Sequence, residues 1–162
     1  MLTYKEFTRQ FRIQTESLAY QRQFDLAVLV CKRLFCDYQK FSEDNNWGDS
    51  KLVLDTIRFI EQFGADKIDP VLLQSKINQI ESIIPDTENF EDASYALNCC
   101  VAVAETLEFL ADRKAKHIYS VGLCLTDTID FKIQEEDDLT DEEIDNNTDM
   151  ISAREFLLEM SR

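Results

Sequence analysis

Residues 20–41 read YQRQFDLAVLVCKRLFCDYQKF. Within this stretch Tyr20, Phe24, Ala27, Cys31, Leu34, Tyr38 and Phe41 are separated by alternating steps of four and three. That is the spacing of neighbours on one face of an α-helix, and strands cannot produce it because their side chains alternate every second residue. The stripe is about six turns long, so it predicts a long helix with one buried face, ended by the polar run Ser42-Glu43-Asp44-Asn45-Asn46.

The same spacing recurs in both directions from this helix. Leu73, Ile77, Ile80 and Ile84 form a second stripe, and Ala93, Leu97, Cys100, Ala104, Leu107 and Ala111 a third. End signals agree with them. Thr3 and Glu6 can form a capping box ahead of a first helix bearing Tyr4, Phe7 and Phe11. Asp49 can cap a helix that Gly64 closes, and Asp69-Pro70 is a strong helix start because proline is pre-set for the first helical position. Between Tyr95 and Ala104 every residue except Asn98 is apolar or a thiol, and Ala96, Cys99, Cys100, Ala102 and Ala104 are small. A helix apolar on all sides is buried on all sides, so the helix at about 90–111 belongs at the centre. Two further helices follow, one with Ile118, Val121, Leu125, Ile129 and Ile133, the other with Met150, Ala153, Leu157 and Met160. With only three glycines and two prolines, and no linker or fixed repeat, the expected fold is all-α: a single-domain bundle of about seven helices over residues 1–162.

The 162 residues carry 32 acids against 17 Lys and Arg, a formal charge of −15. The charge is unevenly placed. Residues 135–149 hold nine carboxylates and no base, whereas the first 34 residues hold six bases and three acids. The segment 135–149 is expected as an acidic loop, with Thr140 and Glu143 able to cap a single helical turn inside it. It is not a calcium loop: a start at Asp145 puts Met150 where glycine is required and Phe156 where glutamate is required. Absence of a Lys/Arg cluster argues against nucleic acid, and the acidic balance against an anionic membrane.

Catalytic signals are missing. The one histidine, His117, has no partner at metal-motif spacing, no CxxC pair occurs, and glycines only at 48, 64 and 122 allow no phosphate-binding loop. Cys31, Cys36, Cys99, Cys100 and Cys124 form an odd set in a chain whose N-terminus has no export signal, so free thiols in a reducing cytoplasm are expected, packed as small core residues. No catalytic residue, metal ligand or cofactor is assigned. The leading reading is a non-enzymatic protein-interaction module. Its partner is a second copy, as a homodimer, or a basic protein met by Glu135, Glu136, Asp137, Asp138, Asp141, Glu142, Glu143 and Asp145, with Trp47 and Asp49 as a second contact. The alternative is a metal- or thiol-dependent enzyme using Cys99, Cys100 or the carboxylates.

Two stretches carry a family resemblance. One runs from Phe24 through Cys31, Arg33, Leu34, Tyr38 and Phe41 to Trp47-Gly48-Asp49. The other is Ile84-Pro85-Asp86-Thr87-Glu88-Asn89-Phe90 with Ser94-Tyr95-Ala96-Leu97-Asn98-Cys99-Cys100 and Glu105-Thr106-Leu107-Glu108. Together they resemble the YjaG-like family of bacterial proteins, domain of unknown function 416, over about residues 20–160. The resemblance implies an all-helical cytoplasmic bacterial protein and implies no reaction.

Overall fold

The computed structural model describes residues 2–64, 66–135 and 138–162. These form eight helices and, among the described residues, no strand: α1 (Tyr4–Ser17), α2 (Tyr20–Asn45), α3 (Ser50–Phe63), α4 (Pro70–Glu81), α5 (Ala93–Asp112), α6 (Ala115–Ile133), α7 (Asp141–Asn146) and α8 (Thr148–Met160). The all-α class and a bundle of about seven helices are as expected, with eight helices among the described residues. The extra helix is α7, where the Thr140–Glu143 capping box holds six residues rather than one turn. The segment 135–149 is therefore not a loop throughout.

Capping explains most of the boundaries. Thr3 and Glu6 cap α1 reciprocally, Asp49 accepts from the Leu52 N–H at 2.9 Å, and Asp69 accepts from the Val71 N–H at 2.9 Å ahead of Pro70. Each such cap contributes about 1 kcal/mol by satisfying a backbone donor that the helix leaves free. Helix α2 runs through the polar residues expected to stop it. It ends at Asn46, which adopts a left-handed conformation with φ 47°, while Asn45 stays in the last turn and donates to the Phe41 carbonyl and to Asp92. The α5–α6 corner is made the same way by Arg113 at φ 59°.

Helix α5 packs against α2, α3, α4 and α6, and its small side chains are what allow four neighbours to approach. Ala93, Ala96, Cys99, Ala102 and Val103 are wholly buried. Its burial is not complete, however: Tyr95, Leu97, Asn98 and Val101 are half-exposed, and Leu97 and Asn98 form part of a cleft wall. The stripe on α2 is inward-facing from Phe24 to Phe41. Helix α1 lies on α6 and α8, with Phe11 against Tyr119 at 5.9 Å between ring centres. There Gly122 of α6 is needed for close approach, because a Cβ at that position would collide with the Phe11 ring.

Candidate functional site

Three short pieces of chain meet above the C-terminal half of α6. They are the end of α2, the turn 86–92 and the start of α5. The turn is shaped by Asp86, whose carboxylate accepts from the Glu88 N–H at 2.9 Å and the Asn89 amide at 3.2 Å. It is fixed to α2 by an aromatic cluster, with Phe90 5.4 Å from Phe41 and 5.6 Å from Trp47. Edge-to-face pairs of this kind contribute about 0.5–1.5 kcal/mol beyond their buried area. At Gly48, with φ +83°, the loop turns close enough for a Cβ to strike the Tyr38 hydroxyl, and that hydroxyl accepts from the Asp49 N–H at 3.1 Å.

The result is a cleft of about 1070 Å³ whose lining includes six carboxylates, Asp44, Glu91, Asp92, Asp127, Asp130 and Glu135, and, among the described residues, no Lys or Arg. Asp44 is ion-paired with Lys40, Asp92 takes the Asn45 amide and Glu135 takes the Tyr95 hydroxyl. Asp127 and Asp130 have no ion pair among the described residues. One helical step of three brings them to the same face of α6. Although Asp127 is exposed, partial desolvation in the cleft pushes its carboxyl above the usual carboxylate range, and the neighbouring Asp130 adds to it. Burial also raises Asp130, with the charge of Asp141 adding to it, and hydrogen bonding from Gln134 and the charge of Arg154 offset this only in part.

The same two aspartates form a wall of a second hollow, about 450 Å³, bounded by the start of α1 and by α7 and α8. Its far side is held by Arg154, only 4% exposed, whose Nη1 donates to Asp145 at 2.7 Å and to the Leu2 carbonyl at 3.1 Å. Asp145 also accepts from the Tyr4 N–H at 3.1 Å, so α7 is tied to the first turn of α1. The two hollows thus meet at Asp127 and Asp130 and form a trench across α6, acidic but for Lys5 and Arg154 at its α1 end.

The residues expected from sequence divide among several places. Glu135 lines the larger hollow, and Asp141 and Asp145 the smaller. Glu143 serves the α7 capping box, whose hydrogen bonds from Thr140 hold its carboxyl below the usual range. Asp138 and Glu142 are exposed, and Glu136 and Asp137 lie outside the described residues. Trp47 is half-buried against Phe41, and Asp49 caps α3, so these two are occupied in holding their own loop and stand apart from the trench. Sequence reading missed Asp44, Glu91, Asp92, Asp127 and Asp130. The signal for the last two was available: a carboxylate pair three apart on a helix that holds no other acid.

Other chemistry-bearing groups are bound up in packing. Cys31, Cys99, Cys100 and Cys124 are buried and Cys36 is exposed. Burial pushes the Cys31 and Cys100 thiols up to about 12 and raises Cys99 and Cys124 as well, which keeps all four as neutral thiols at physiological pH. His117 is clasped at the α5–α6 corner, with Nδ1 2.6 Å from Glu105 and Nε2 3.2 Å from Asp112. Among the described residues no three Asp, Glu, Cys or His side chains converge closely enough to share one metal ion. None of the described helices is long and apolar enough to cross a membrane.

Over residues 10–162 the chain matches the family described as "Protein of unknown function (DUF416)". Its fold is similar to the crystal structure, at 1.91 Å resolution, of a DUF416 family protein from Shewanella baltica OS155. The TM-score is 0.78 at 20% sequence identity, and the likeness covers 93% of this chain and 83% of that one. No curated protein matches it.

Proposed function

This chain belongs to the DUF416 family of proteins of unknown function, and from that premise we propose that it is an interaction protein whose acidic trench docks a basic segment of a protein partner. The observation that carries this reading is the carboxylate pair Asp127 and Asp130, shared by both hollows, without an ion pair among the described residues and raised by partial desolvation, with Asp130 repelling Asp127 and Asp141 repelling Asp130. An incoming ammonium or guanidinium group relieves that repulsion, so the trench favours a cation before any contact is counted.

The dispersal of the carboxylates selects among cations. They come from α2, the 86–92 turn, α6 and α7 rather than from one coordination shell. A chain of Lys and Arg side chains suits such spacing better than a single ion. Four buried thiols held in the neutral form, and a histidine bound between two carboxylates, weigh against the enzyme alternative. The proposal includes a single-domain chain working in the bacterial cytoplasm, which five unpaired thiols support.

Fluorescence anisotropy with a labelled oligolysine peptide tests the reading. The parent protein binds it, less tightly as salt rises. The double variant Asp127→Asn/Asp130→Asn, with both repelling charges gone and the fold retained, binds about tenfold more weakly, a loss of about 1.4 kcal/mol. Equal binding by parent and variant would overturn the proposal.

A further inference from the structure

Helix α1 turns an unpartnered face to solvent. Lys5, Arg9 and Arg12 are spaced by four and three, lie on its exposed side, and make no ion pair among the described residues. Arg12 spreads its guanidinium over the Tyr119 ring of α6 at 4.6 Å, and Glu16 ends the stripe. Two large apolar side chains, Tyr4 at 50% and Ile13 at 59% exposure, flank it. The stripe is about 10 Å long, seven steps of about 1.5 Å each from Lys5 to Arg12. It begins at the trench: Lys5 and Tyr4 line the smaller hollow together with Asp127, Asp130 and Asp141.

A cationic stripe and an anionic trench that adjoin on one side of the molecule are complementary to themselves after a half-turn. A two-fold rotation about an axis near Lys5 would bring the stripe of each copy to the trench of the other, so that both contacts would form at once. Such a pair is closed, whereas contact between opposite poles would grow into chains. We propose that the basic segment docked by the trench is the α1 face of a second copy of this chain, in a two-fold symmetric dimer. This rests on the trench being a docking surface, and it assigns the occupant. The exposed Tyr4 and Ile13 then become covered apolar contacts at the ends of the ionic zone.

Sedimentation velocity decides it. The parent chain sediments as a dimer at low salt and as a monomer at high salt. Arg9→Glu/Arg12→Glu and Asp127→Lys/Asp130→Lys are each monomeric at low salt, and an equimolar mixture of the two restores the dimer, because each reversed surface meets its complement. Should the lysine variant fail to fold, Asp127→Asn/Asp130→Asn is expected to weaken the dimer at least tenfold. A parent chain monomeric at every concentration, or a mixture that stays monomeric while the parent dimerises, overturns the inference. A monomeric parent that still binds oligolysine through Asp127 and Asp130 overturns the second copy alone, and one that binds neither overturns the trench as well.

Discussion

Asp112 sits at the corner between α5 and α6, where its carboxylate accepts from the Lys114 N–H at 2.9 Å and lies 3.2 Å from His117 Nε2. Burial alone would raise its pKa, but the hydrogen bonds from Lys114 and His117 outweigh burial and draw it down to about 2. The pKa is lower in the folded chain than in the unfolded one, so its stabilisation is complete above the ordinary aspartate value and fades as pH falls toward 2. Asp112→Asn should therefore lower Tm by about 2–4 °C at neutral pH, corresponding to about 1 kcal/mol for a chain of this size. The deficit should shrink between pH 4 and pH 2; calorimetric scans across that range check it. The sequence showed only that His117 has no ligand at motif spacing. Its clasp was not legible, because Glu105 reaches it only after α5 and α6 fold back on each other.

Among the elements, the contact of α1 with α6 depends most on one residue. Gly122→Ala would add about 1 kcal/mol of helix propensity in isolation. Here the added methyl meets the Phe11 ring, which is wholly buried and also stacked on Phe7, and cannot swing aside. Overpacking of this kind costs about 1–3 kcal/mol. Gly122→Ala is expected to destabilise the protein, and Phe11→Leu/Gly122→Ala to cost less than the two single changes added together, as read by urea denaturation. The stripes on α2, α4 and α5 were legible because 3.6-residue periodicity is written directly in the chain. The end of α2 was not: Ser42, Asp44 and Asn45 are poor helix formers, and the turn stays helical because Asn46 takes the left-handed cap and Asn45 finds Asp92 from a distant turn. Helix α7 was legible only as a capping box, since nothing in its six residues marks a buried face.

Across the whole molecule, the charge is arranged differently from its order along the chain. Sequence concentrates carboxylates in residues 135–149, and three of them, Glu135, Asp141 and Asp145, do line the trench. The fold adds Asp44, Glu91, Asp92, Asp127 and Asp130 beside them, from segments that look ordinary one at a time. Opposite in sign, the α1 stripe begins at the same place. The basic first segment and the acidic late one were each visible in the sequence. Their adjacency was not, because Tyr4 and Asp145 are joined by a hydrogen bond across 141 positions of chain. Titration of the Asp127 and Asp130 carboxyl carbons by NMR, with and without saturating oligolysine, bears on the trench most directly. In the free protein both should titrate above ordinary aspartates, and with the peptide bound both should move down, since a cation favours the charged form. By linkage, binding weakens as pH falls through those values. Two aspartates that titrate identically with and without saturating peptide would contradict a docking role for the trench.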